Sequence, residues 1–246
     1  MKFLSRLRRL VLRSILGALV LAALAAGSLA AAIANPAPFF AHRLTVGQIT
    51  LLSAAPIPDA AADYLSTVDL IPRAAMPAFD GPVSVVILGE GWRQSLFMAL
   101  TPGAGGVTYI GLNADTVFLS GADWATGLLV KDGRSIPPPR DLAYYLRHEI
   151  SHLATGQLLG AVRFHQRPRW VIEGSADLAA LGAPDRQRLR SVVTALEGRV
   201  VWNNWGFYAR ERLLVDWAIA THGPEFLWTT DWTDAEAWAQ FTAANG

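Results

Sequence analysis

The sequence contains no cysteine. That absence excludes disulfide frameworks, thiolate zinc sites and cysteine nucleophiles together. Any transition-metal site must therefore use histidine and carboxylate ligands. Histidine is itself scarce, five in 246 residues, so the pair His148 and His152, four positions apart, stands out. Charge of one sign is not in excess either: the formal net charge is +1, which removes any global electrostatic case for a nucleic-acid partner. Internal repeats are absent, and the one compositional bias is an alanine-rich stretch near the N-terminus. Apolar residues make up 52 % of the chain, enough for a large core and too many for a disordered polypeptide.

The N-terminus reads as membrane-targeting. Lys2, Arg6, Arg8, Arg9 and Arg13 precede an uncharged stretch from Ser14 to Ala34, longer than the ~18 apolar residues that favour a membrane helix. Two readings stand: an uncleaved transmembrane anchor, or a signal peptide cut after Ala32-Ile33-Ala34. In both, the cationic flank stays cytoplasmic. The rest of the chain is then extracytoplasmic, membrane-anchored in the first case and secreted in the second.

Residues 35–246 read as one α+β domain. Asn35-Pro36-Ala37-Pro38 is a linker in which no helix continues. Leu44 to Leu52 predicts a strand pair or one bulged strand, and Pro58 to Leu70 a helix. The β-branched run Pro82–Leu88, bounded by Gly81 and Gly89, predicts the clearest strand. Val107 to Leu112 and Thr116 to Leu119 predict two more, so a sheet-rich part covers 43–135. Pro137 to Pro139 close it. Asp141 then caps a helix running to Gly156 or Gly160, and a helical part fills 141–246. Its further helices are expected over Trp170–Leu181, Asp185–Leu196, Phe207–Thr221 and Asp234–Ala243.

The chemistry-bearing motif is His148-Glu149-Ile150-Ser151-His152. On a helix, positions i and i+4 share a face, so both imidazoles can reach one ion. Glu149 lies beside them, able to polarise a metal-bound water without occupying the metal. A catalytic zinc takes three protein ligands and keeps one position open, so a third ligand is needed downstream. Trp170-Val171-Ile172-Glu173-Gly174 offers a carboxylate near the start of the next helix, across a connecting loop. Asp177 follows Glu173 by one turn and is placed to accept the remaining ring N–H of His148.

These two motifs, with Arg147 to Gly160 and Pro168 to Gly174 around them, resemble the gluzincin metallopeptidases, the thermolysin-like clan. The resemblance is nearest to short bacterial peptidase MA-like domains and covers about Leu142 to Trp217. It implies a zincin-like fold, zinc held by His148, His152 and Glu173, Glu149 as general base, and Asp177 as outer partner of a ligand. The implied activity is hydrolysis of peptide bonds in a peptide or protein substrate outside the cytoplasm, through a Glu-activated zinc-bound water. Two rivals stay open: a catalytically inactive, zinc-stabilised envelope binding module, and a zinc hydrolase acting on a non-peptide amide or ester. Tyr208 is placed like the family's oxyanion donor, or else is a half-buried aromatic. His222 is the alternative donor, or a helix C-terminal residue. His42 and His165 receive no role. Thr116 to Leu119 is either an edge strand that pairs with an extended substrate or a buried strand.

Overall fold

The computed structural model describes residues 2–74, 76–187, 191 and 208–245. The chain opens with helix α1 (Lys2–Ala34). Its segment Val11–Ala34, 24 residues of mean hydropathy 2.2, is roughly 36 Å long at 1.5 Å per residue. That exceeds the ~30 Å hydrocarbon core of a bilayer, so the helix is long and apolar enough for a membrane anchor, and equally for a signal sequence. The helix stops where Pro36 follows, and a short 3-10 turn (Ala37–Phe39) leads into the sheet.

Beyond α1 the architecture is α+β with a mixed sheet. Its five strands are β1 (His42–Val46), β2 (Ile49–Ser53), β3 (Val83–Ile87), β4 (Gly106–Thr108) and β5 (Thr116–Leu119), in the order β1-β2-β3-β5-β4. The Leu44–Leu52 segment is a strand pair, not a bulged strand: β1 and β2 form a hairpin turning at Gly47, whose φ of 56° suits glycine. The pairs β2/β3 and β3/β5 are parallel, and β4/β5 is antiparallel. Helices α2 (Asp59–Thr67) and α3 (Trp92–Phe97) lie in the connections.

Register decides what lies on each side of this sheet. Leu51, Val85 and Val117 are matched across neighbouring strands, as are Leu52, Val86 and Phe118. Successive side chains of a strand point to opposite faces, so the sheet presents two apolar rows. The first row packs with Leu142, Leu146 and Leu153 of α4 (Leu142–Leu159) and with α2. The second packs with Phe97 and Met98 at α3 and with Ile33 of α1. Full burial of a Leu, Val or Phe stabilises by about 1.5–3 kcal/mol, so these rows fix α4 against the sheet.

Several expectations need correction. The segment Val107–Leu112 is not a continuous strand: β4 ends at Thr108, and Leu112 and Asn113 both donate backbone N–H to Tyr109 O. Of the two readings of Thr116–Leu119, the buried strand is the one found: β5 is flanked by β3 and β4 and buried along its length. The edge is β4. A second sheet of β6 (Ala122–Asp123), β7 (Leu128–Lys131) and β8 (Arg134–Ile136) was not anticipated. Its β7–β8 turn is Asp132-Gly133, with φ of 50° and 68°, the pair of positive angles that such a dipeptide favours in hairpins.

The helical part follows the expected order. Asp141 caps α4 by accepting from Tyr144 N at 2.8 Å, and Gly160 ends it with φ 74°. The connection to the next long helix is not a plain loop but contains α5 (Ala161–Gln166). Then come α6 (Arg169–Leu181), α7 (Ala209–His222), α8 (Glu225–Thr229) and α9 (Asp234–Asn245). Most of the helix expected over Asp185–Leu196 lies outside the described residues. α6 packs against α4 on one side and α7 on the other. The α6–α7 approach is close because residue 174 is glycine. A Cβ there would lie 2.5 Å from Glu211 O and 2.7 Å from Val215 Cγ2.

Gly174→Ala should therefore force α6 and α7 apart and lower stability by about 1–3 kcal/mol, the usual cost of overpacking. Urea unfolding measures this, and an unchanged midpoint would show that the helices accommodate the methyl group.

Candidate metal centre

α4 carries the site because its two faces are used differently. Its leucines lie on the sheet, while His148 and His152 turn toward α6. Glu173, on the first turn and a half of α6, meets them. Its Oε2 is 3.4 Å from His148 Nε2 and 3.8 Å from His152 Nε2. The three side chains offer ligand atoms that all lie within 4.8 Å of one another. Two donors each about 2.0–2.1 Å from a common zinc can be at most about 4 Å apart, so the two distances to Glu173 fit a shared ion. This His, His, Glu group could hold a metal.

The electrostatics show how tightly the group is coupled. For Glu173, burial favours the neutral acid, but the hydrogen bond and charge of His148, the charge of His152 and the Tyr208 hydroxyl outweigh it and hold the carboxyl at about 2. His148 is pulled down by burial, yet Glu173 and the charge of Glu149 win and raise it. His152 moves the other way: burial lowers it to about 4, with Glu173 only partly opposing. The Nδ1 atoms of both histidines are buried without a hydrogen-bond partner among the described residues.

Glu149 leaves the His face and turns toward strand β4. Its Oε2 accepts from the Thr108 hydroxyl at 2.9 Å, and the same hydroxyl reaches Glu149 O at 3.2 Å. Burial pushes its carboxyl up to about 7, against the pull of His148 and Thr108. Room for Glu149 depends on Gly106, where a Cβ would stand 2.9 Å from Glu149 Oε1. A cavity of about 160 Å³ opens beside Glu149 and His148, with Tyr208, Tyr145, Arg140 and Lys131 on its walls.

Tyr208 is brought to the site. Its ring stacks on His148, centroids 5.5 Å apart and 13° from parallel, and its hydroxyl is hydrogen-bonded to Glu173. The Arg169 guanidinium lies over the same ring, 5.4 Å from its centroid. His222 is not brought there; it lies among Phe226, Trp217 and Trp232. His165 Nε2 pairs with Ile110 O at 2.9 Å.

Asp177 differs from expectation in its partner. It is fully buried one turn beyond Glu173, but its Oδ1 accepts from the Tyr144 hydroxyl at 2.8 Å, and its Oδ2 lies 3.5 Å from Arg212 Nε of α7. It makes no hydrogen bond to His148. Tyr144 precedes His148 by one turn of α4 and places its ring 5.5 Å from the imidazole, so Asp177 reaches the site through the tyrosine. Sequence reasoning missed Thr108, Tyr144 and Arg212. Gly105-Gly106 was the available signal for Thr108, since paired glycines at a strand mark close approach of another group.

Tyr144→Phe should cost about 1–3 kcal/mol in urea unfolding, because a buried carboxylate oxygen loses its donor. Asp177→Ala should cost more, about 3–5 kcal/mol, since Arg212 loses its buried counter-charge. Wild-type stability in both variants would contradict the Tyr144–Asp177–Arg212 chain.

No protein-family model matches the sequence, and no curated protein or solved structure is significantly similar to it.

Proposed function

We propose that the protein is a zinc-dependent metallopeptidase of the gluzincin type, with a zincin-like fold, working outside the cytoplasm. The observation that supports this most is the convergence of His148 Nε2, His152 Nε2 and Glu173 Oε2 beside a separate buried carboxylate, Glu149. A purely structural metal site needs only ligands. Here a further acid stands next to them, held by Thr108 and kept off the ligand set. The basic residues ahead of Ser14 support an outside location for everything beyond α1.

The residues divide the work as follows. His148, His152 and Glu173 would hold zinc, which supplies a Lewis acid that lowers the pKa of water to about 7. Glu149 takes the proton from the attacking water and delivers it to the leaving amine. Thr108, donating to Oε2, fixes the direction in which the Glu149 carboxylate points. Tyr208, whose hydroxyl is hydrogen-bonded to Glu173, would meet the oxyanion that develops on the attacked carbonyl. The substrate backbone has a place beside β4, which is paired on one side only among the described residues. An extended peptide there would continue the sheet past Glu149.

Metal analysis of the purified protein should find close to one zinc per chain, and His152→Ala should lose it. Wild type that neither carries nor rebinds zinc would refute the assignment. Cleavage of a diverse peptide library should stop with chelator and return with zinc.

Glu149→Gln should keep zinc and lose at least ~10²-fold in kcat/KM. Thr108→Val should fall between, about 10–100-fold down, as for other losses of an outer partner, and Thr108→Ser should recover much of this. Zinc-loaded wild type that cleaves no peptide would leave the site to another substrate or to binding alone.

A further inference from the structure

The end of α1 is built into the body of the protein. Ile33 has no exposed surface and Ala32 has 7 %; both join the cluster of Phe40, Leu52, Val86, Phe97 and Phe118 behind the sheet. The last carbonyls of a helix have no intrahelical donor, and here Asn113 supplies one. Its Nδ2 donates to Ile33 O at 3.1 Å and to Ala34 O at 3.2 Å. Asn113 is itself held, its Oδ1 accepting from Asp115 N. The seven residues from Asn35 to Ala41 include the 3-10 turn and run directly into β1. A flexible tether would leave Ile33 in water; this junction instead sets the direction of α1 relative to the sheet.

The surface around that junction is unlike an ordinary wet face. Trp92 starts α3, the helix that packs on α1, and is 56 % exposed. Its ring meets Phe39 of the 3-10 turn, centroids 6.4 Å apart. Arg93 donates from Nε to Phe39 O at 2.9 Å, with its guanidinium 4.5 Å from the Trp92 ring centroid. Leu112, which directly precedes the Asn113 that holds α1, is 40 % exposed. Where a spanning helix leaves a bilayer, its neighbours stand at headgroup depth. Tryptophan is enriched at that depth, and arginine there meets lipid phosphates.

We propose that α1 is retained as an anchor and that the face around its foot, formed by Trp92, Arg93 and Leu112, rests on the lipid surface. Helix and face together then hold the protein in one orientation on the membrane. Removal of α1 at Ala34 would empty the Ile33 position in the core, which is why the anchor and not the cleaved signal fits the structure. The inference is independent of zinc and of hydrolysis.

The cysteine-free chain allows single-cysteine spin labels on the full-length protein. It would be placed in vesicles of phosphatidylcholine and phosphatidylglycerol. Ser95→Cys reports on exposed α3 with Trp92 intact, Leu19→Cys on the spanning helix, and Ser66→Cys on α2 across the sheet. The label at 95 should favour collision with oxygen over a water-soluble nickel chelate, as the label at 19 does. The label at 66 should show the reverse. Adding Trp92→Ser and Leu112→Ser should shift the label at 95 toward nickel while circular dichroism stays unchanged. A label at 95 as accessible to nickel as that at 66, or a mature chain in cells beginning at Asn35, would overturn the proposal.

Discussion

The seating of α4 on the Leu51–Val85–Val117 row of the sheet is the constraint from which the rest follows. A helix turns 3.6 residues at a time, so once Leu142, Leu146 and Leu153 are committed to the sheet, the remaining directions are assigned. His148 and His152 must look toward the next layer, where α6 supplies Glu173. Glu149 must look toward the strand at the sheet's edge, where Thr108 receives it. One helix thereby separates the candidate ligands from the neighbouring acid. The same sheet, through its opposite row, holds Ile33 and so the foot of α1.

A site of this kind is costly to bury. His148, Glu149, His152 and Asp177 are all below a tenth exposed, and a buried charge is tolerated only when paired or hydrogen-bonded. The protein meets that requirement in layers. Glu173 compensates the histidines, Thr108 the Glu149 carboxylate, and Tyr144 with Arg212 the Asp177 carboxylate. Gly106 and Gly174 keep the layers close enough for these contacts, one under Glu149 and the other between α6 and α7.

Much of the fold was legible because its signals are local. The Pro82–Leu88 run, the Asp141 cap and the Gly160 stop each act within a few residues and lie where expected. The second sheet carries a local signal too, the Asp132-Gly133 hairpin dipeptide with its two positive φ angles. The edge of the main sheet was not legible, since strand order follows from parallel crossovers between segments distant in the chain. Nothing inside Thr116–Leu119 says that β4 will cover it.

The sequence by itself determined the donor types and their helical phase. Without cysteine, and with His148, His152 and Glu173 on two successive long helices, any metal set had to be nitrogen and oxygen. The i, i+4 spacing places two of the donors together through helix geometry alone. Tertiary structure decided the partners. Asp177 has the right helical phase to face α4, yet the donor it meets is Tyr144, because a tyrosine one turn earlier reaches the carboxylate where the imidazole does not. Thr108 found Glu149 across 41 residues of chain, and Asn113 found the end of α1 across 80. Helical phase is a property of the backbone repeat, whereas contacts between distant segments depend on how whole layers settle against one another.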